Sequence, residues 1–301
     1  MQIRDWLPLL GMPLMLLFVQ LIAVLLVIPM QAAGLVAFED PESVTNPLIF
    51  IGMLLVFTLV LLLLIRMGGR RFISVFIGIS IFLTFVYIFS ALSLLVLGPT
   101  GAAAAGTLIG AVAATALLYL YPEWYVIDTL GVLISAGVAS IFGISLAVLP
   151  VLVLLVLLAV YDAISVYRTK HMITLAEGVL ETKSPIMVVV PKRMDYSFRR
   201  EGLNIAEGEE RGAFVMGMGD LIMPSILVVS SHAFVDAPAV FWVLSAPTLG
   251  AMAGALVGLA VLLHFVNKGK PQAGLPPLNG GAIVGFLVGA ALAGSLSWLP
   301  F

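Results

Sequence analysis

Residues 144–167 read ISLAVLPVLVLLVLLAVYDAISVY, an apolar stretch carrying one aspartate, Asp162, six positions before Arg168. About 20 consecutive apolar residues suffice for a helix to cross the hydrocarbon core of a bilayer. A charge inside such a helix is costly and marks a functional position by default. Outward from this stretch, eight further apolar runs are bounded by charges and turn residues. The nine candidate spans are 6–30, 47–66, 72–97, 101–121, 124–140, 144–167, 212–234, 238–266 and 279–299. The fifth is short and carries Asp128 near its start. The composition agrees: the 301 residues are 62% hydrophobic and 10% charged, with a mean hydropathy of +1.19. A soluble domain would be roughly 25% charged. The fold class is therefore all-α, a polytopic membrane protein with nine transmembrane helices, since only a helix satisfies its own backbone in lipid. The first run ends in Gln31-Ala32-Ala33-Gly34, which looks like a cleavage site. Its apolar part is too long for a signal peptide, so it is read as a retained span.

Basic residues orient the spans. Arg4 precedes span one, and Arg66, Arg70 and Arg71 lie between spans two and three. Arg168, Lys170, Lys183, Lys192, Arg193, Arg199, Arg200 and Arg211 bound or occupy the loop after span six, and Lys268 and Lys270 lie in the loop after span eight. All 14 basic residues thus fall on one face, while Glu39, Asp40, Glu42 and Asp236 lie on the other. The distribution places the N-terminus in the cytoplasm and the C-terminus outside. Removing span five would destroy the segregation. Three parts follow: an N-terminal bundle of six spans (1–167), a cytoplasmic loop (168–211) and a C-terminal bundle of three spans (212–301).

Several function classes drop out. A net charge of −2 offers no basic field, so nucleic acid is excluded as a partner. The absence of cysteine removes disulfides, thiolate chemistry and cysteine metal sites. Three scattered histidines make no metal site, and no cofactor is expected.

Two aspartates stand well inside apolar spans: Asp162, in Val160-Tyr161-Asp162-Ala163, and Asp220, in Gly217-Met218-Gly219-Asp220. Asp162 lies ~9 Å before Arg168, and Asp220 ~13 Å after Arg211, at ~1.5 Å of helical rise per residue. The two spans run in opposite directions, so both carboxyls reach a similar depth and can face each other. A close pair of carboxyls does not ionise twice cheaply, so the pair can act as general base and general acid together. One takes a proton from water and the other donates to a scissile carbonyl oxygen. The alternatives are separate structural roles, or an ion relay in a proton- or cation-coupled transporter or channel. No inverted repeat or pair of broken helices supports transport. Gly217 and Gly219 leave room for a backbone to approach, or for helix packing.

The Tyr161-Asp162 and Gly217-x-Gly219-Asp220 pairings in consecutive spans resemble the motifs of presenilins and signal peptide peptidases. These are nine-span intramembrane aspartyl proteases with catalytic aspartates in spans six and seven. The resemblance covers essentially the whole chain, and its compactness looks most like an archaeal presenilin homologue. It implies Asp162 and Asp220 as catalytic residues, transmembrane-helix proteins as substrates, and a multi-pass protein of a prokaryotic (archaeal) plasma membrane. A prepilin-peptidase-like protease also shares a Gly-x-Gly-Asp pattern, but the nine spans and the Tyr-Asp context argue against it. The family's Pro-Ala-Leu motif corresponds to Pro276-Pro277-Leu278, with Pro277 in place of alanine. Pro247-Thr248-Leu249 approximates it too, but inside span eight. The resemblance thus adds Tyr161, Gly217, Gly219, Pro276, Pro277 and Leu278 as substrate-binding candidates. Consecutive prolines are expected to disfavour helix and leave carbonyls open to a substrate strand.

In the cytoplasmic loop, Thr169–Lys183 carries Met172, Leu175, Ala176, Val179 and Leu180 at helical spacing, which predicts an amphipathic interfacial helix. The β-prone run Ile186–Val190, between Pro185 and Pro191, is a candidate strand for an unwound substrate, testable with Val188→Pro. Glu207, Glu209, Glu210 and Arg211 read as solvated. Asp128 reads as a solvated residue at a helix start, and His232 and His264 as interfacial. The stripes Gly250/Gly254/Gly258 and Gly281/Gly285/Gly289 read as helix-packing surfaces.

Overall fold

Apolar length sets the helices, and the breaks fall where glycine, proline or charge interrupts it. The computed structural model describes residues 6–66, 70–169, 187–193, 195–201, 212–266, 272–295 and 298–299. Its helices are α1 (Trp6–Leu25), α2 (Val27–Ala32), α3 (Asn46–Arg66), α4 (Arg70–Leu97), α5 (Gly101–Leu120), α6 (Trp124–Ser145) and α7 (Val148–Ile164). A π-helical turn, Ser165–Thr169, continues α7. The strand β1 (Met187–Pro191), the helical turn α8 (Phe198–Glu201) and the strand β2 (Ala213–Gly217) follow. Then come α9 (Met218–Phe234), a hairpin of β3 (Ala239–Phe241) and β4 (Leu244–Ser245), α10 (Ala246–Val266) and α11 (Leu275–Ala293).

Eight spans among the described residues are long and apolar enough to cross a membrane, and α9 is a shorter ninth apolar helix. The nine-span reading therefore holds, with altered boundaries. Span five is longer than its apolar run suggested: α6 extends to Ser145. It is also the most enclosed span, with 67% of its apolar window buried, against 11% for Asn46–Leu64. The latter is a peripheral, lipid-facing helix, whereas α6 is the post around which the bundle is built. Spans seven and eight do not begin as helices. Residues 213–217 form a strand, and 239–245 form a hairpin. Span nine begins earlier than expected, at Leu275.

The loop after span six supplies β1, which pairs antiparallel with β2, Val188 opposite Met216 and Val190 opposite Phe214. The described part of this loop folds back on the start of α6. Ser197 Oγ donates to Glu123 Oε1 at 2.8 Å, and Arg193 pairs with Glu201 at 3.3 Å. Tyr196 beside them is buried. Burial first, then the charges of Glu201 and Glu123, push its hydroxyl up to about 12, so it stays neutral and can pack there. The expected amphipathic helix over 169–183, apart from Thr169, and Pro185, Ile186, Glu207, Glu209, Glu210 and Arg211 lie outside the described residues.

The glycine stripes pack as the spacing predicts. A Cβ on Gly250, Gly254 or Gly258 of α10 would run into the backbone carbonyls of Gly285, Gly281 and Pro277 of α11. The two backbones touch directly, and α11 is held in one position along α10.

Candidate active site

Asp162 is the third residue from the end of α7, and Asp220 is the third residue of α9. The similar depth expected for the two therefore has a different cause. Five residues ahead of α9 are extended, so counting helical rise from Arg211 does not describe them. The match arises because each aspartate lies within a turn of its helix end, where the two helices open onto one site.

The segment leading into α11 joins the carboxyls. Leu275 N–H donates to Asp162 Oδ2 at 3.0 Å. The neighbouring residue, Gly274, faces the other aspartate: a Cβ built there would lie 2.7–2.9 Å from the carboxyl atoms of Asp220. Two consecutive residues thus touch both acids and bring them to one site. Asp162 is only 6% exposed. Gly274 is required by close approach, not by backbone angle, because its φ is −78°.

Side chains pin this strap. Tyr167, on the π-helical turn after Asp162, donates to Gln272 Oε1 at 2.8 Å and accepts from Ala273 N–H at 3.2 Å. Asn279, one turn into α11, is fully buried and donates to the Leu155 carbonyl of α7 at 3.0 Å. Nothing in the sequence singled out Tyr167 or Gly274, since both matter through contacts with residues about 55–105 positions away in the chain. Tyr167→Phe removes two hydrogen bonds of about 1 kcal/mol each from an exposed residue. The expected result is a melting temperature lowered by no more than about a few degrees and a loss on the order of tenfold in any activity of the aspartate pair. Full activity in the Phe variant, measured as initial rate, would mean that Leu275 and Asn279 hold the strap without Tyr167.

The other site candidates fall into two groups. Gly217 and Gly219 precede Asp220 at the β2–α9 joint, and a Cβ on Gly219 would meet nothing within 4 Å among the described residues. Tyr161 adjoins Asp162 and is half-buried. Pro276, Pro277 and Leu278 follow the strap, but as the first turn of α11, not as a break before it. The reason is that the first turn of a helix has no intrahelical use for the missing N–H groups, so proline is tolerated there. The Pro277 carbonyl, expected to be open, is covered by Gly258. The second group lies elsewhere. Thr248, in the alternative Pro247-Thr248-Leu249, bonds Ser231 and Ser245 at the opposite end of α9. His232 lies near that same end and His264 near the end of α10.

Asp128 corrects the sequence reading. It is not solvated: it is 5% exposed and its Oδ1 accepts from Val189 N–H of β1 at 2.7 Å. With α6 starting at Trp124, Asp128 already lies in the second turn, and the returning β1 covers it. The rule that flagged Asp162 and Asp220, a carboxylate within an apolar run, would have flagged it too.

The same bond corrects the expectation for Ile186–Val190. Lys192 N–H donates to the Gly212 carbonyl, which sets the phase of the antiparallel ladder. Val188 and Val190 then face β2, and Val189 points away from it, onto Asp128. Both edges of β1 are occupied, and Val188, Val189 and Val190 are all buried. The remaining edge belongs to β2, where the amides of Val215 and Gly217 point outward and make no backbone bond outside the ladder among the described residues. That edge runs directly into Asp220.

The family described as signal-peptide peptidase, presenilin aspartyl protease matches residues 13–295. Two crystal structures, each of a presenilin family intramembrane aspartate protease, are 72% identical to the chain with a TM-score of 0.72. They cover 95% and 96% of this chain, and all of their own chains are matched. A comparison with curated proteins returns no match.

Proposed function

The chain belongs to the signal-peptide peptidase and presenilin aspartyl protease family, and on that premise we propose that Asp162 and Asp220 are its catalytic pair. The protein is a multi-pass membrane protein and an intramembrane aspartyl endopeptidase, acting on transmembrane segments within the bilayer. The observation that carries the residue assignment is the strap: Leu275 N–H on Asp162 and Gly274 against Asp220.

Hydrolysis follows from a shared proton. The ionised member of the pair takes a proton from water as the water oxygen attacks the scissile carbonyl carbon. The protonated member gives its proton to the carbonyl oxygen, so the tetrahedral intermediate forms without a free oxyanion. Collapse returns a proton to the leaving amine, and the titration belongs to the pair as a whole. Leu275 N–H holds one oxygen of Asp162 in place.

A substrate helix must unwind to expose a peptide bond, and its freed backbone groups need partners in lipid. The outward edge of β2 provides them by strand addition, with Val215 and Gly217 as partners next to Asp220. Gly217 and Gly219 keep side chains out of the path. In this arrangement residues 1–167 frame the site, 168–211 supply β1, and 212–301 carry β2, Asp220 and the Pro276-Pro277-Leu278 turn that positions Leu275. The resemblance to presenilin homologues supports a prokaryotic, archaeal plasma membrane as the one it occupies.

Purified protein in detergent, given a transmembrane-helix peptide, is expected to yield products identifiable by mass spectrometry. No cleavage across several substrates and pH values would overturn the assignment and direct the next experiment to ion flux in liposomes. Strand addition has its own probe. Val188→Pro would unzip β1 from β2, whereas Val215→Pro removes only an outward donor from an edge position where proline is tolerated. Val215→Pro is expected to retain folding and lose roughly tenfold or more in cleavage, the worth of a desolvated hydrogen bond. Undiminished cleavage would rule out pairing on β2.

A further inference from the structure

We propose that Asp128 is a positioning residue that sets where the substrate is cut, by fixing the angle of the β1–β2 hairpin at the catalytic pair. The inference rests on strand addition along β2. A two-stranded hairpin is marginal by itself and takes its placement from what it packs on. Here β2 joins α9 through Gly217 and Gly219, and among the described residues a Cβ at Gly217 would meet only Asp220 Oδ2 within 4 Å, at 4.0 Å. The one side chain at that joint, Met218, packs on α6 and makes no directional contact with the strands.

The holding contacts come from the other side of β1. Asp128 Oδ1 takes the Val189 N–H in a buried bond between residues 61 positions apart. One turn along α6, Gly131 leaves space for the Met218 methyl and a Val188 methyl, at 2.8 Å and 3.5 Å from where its Cβ would be. On α1, Gly11 leaves space for Val190 at 2.8 Å. The valine contacts resist inward movement but permit sliding. The Asp128 bond is the directional one, and it fixes β1 along α6. Among the described residues Asp128 Oδ2 is buried with no partner, so the polar engagement seen for this residue is the strand.

Without that bond the hairpin pivots at Gly217 and offers the substrate strand a different seat. A strand re-seats in steps of about two residues, the repeat that keeps the same side chains on the same face. Asp128→Ala is therefore expected to give new products displaced by about two residues from the wild-type bond. Asp128→Asn keeps the acceptor oxygen and is expected to restore the wild-type pattern. Val189→Pro removes the donor from the edge facing α6, leaves the bonds to β2 in place, and is expected to reproduce the Asp128→Ala pattern even if that variant folds poorly.

The experiment is mass spectrometry of products from one transmembrane-helix peptide, with wild type, Asp128→Ala, Asp128→Asn and Val189→Pro proteins that each pass a thermal-unfolding check. A residue needed only for stability would change yield and leave the cleavage position alone. Wild-type positions in folded Asp128→Ala or Val189→Pro protein, or loss of all cleavage in both, overturns the proposal. Failure of strand addition itself is separate, since it appears as undiminished cleavage in Val215→Pro.

Discussion

Asp162→Ala and Asp220→Ala are each expected to abolish cleavage of a transmembrane-helix peptide by folded protein, a loss on the order of 10³-fold to 10⁴-fold or more. The two carboxyls act as one unit, because neither can serve as acid and base for the same proton transfer. The double variant should then be no worse than either single one, as is general for groups that act together. Asp162→Asn is the sharper version. Its side-chain oxygen can still accept from Leu275 N–H, so the strap and the melting temperature should be retained while the chemistry is lost. Initial rates by mass spectrometry, alongside thermal unfolding in detergent, separate the two effects. Residual activity near wild type in either alanine variant would remove that aspartate from the mechanism.

The second large effect concerns stability and lies on two adjacent residues of α11. Gly281→Ala puts a methyl group into the backbone carbonyl of Gly254, with Gly258 Cα 3.1 Å away. No side chain can move aside, so α10 and α11 must separate, and the expected cost is about 3 kcal/mol. At Gly280 a Cβ meets nothing within 4 Å among the described residues. Gly280→Ala should be neutral or stabilising by up to about 1 kcal/mol, through loss of unfolded-state freedom. Opposite shifts in melting temperature at neighbouring positions would establish that the backbone contact is responsible. Because α11 begins with Leu275, Gly281→Ala should also lower cleavage by displacing the strap from Asp162. A stable, fully active Gly281→Ala protein would mean that the glycine faces do not set the helix spacing.

Much of this protein could be read in its amino-acid order because lipid is an unforgiving solvent. Apolar runs of bilayer length, with basic residues on one side only, determine how many times the chain crosses. Asp162 and Asp220 stand out for the same reason, as charges where charge is costly. The glycine stripes on α10 and α11 also follow from spacing alone, since a helix places every fourth residue on one face.

Other features depended on contacts that no local pattern encodes. Asp128 looks like a helix-start residue until β1 returns across it. Residues 213–217 read as the start of an apolar helix, and become a strand because β1 lies beside them. Consecutive prolines at 276–277 look like a break, yet serve as the first turn of α11, where their missing donors have no cost. Tyr167 and Gly274 carry no signal at all and acquire roles only when the strap crosses the two acids. Membrane insertion is decided residue by residue through transfer free energy, which a sequence states directly. The site is decided by which distant backbone groups find each other out of water, and only the packed bundle determines that.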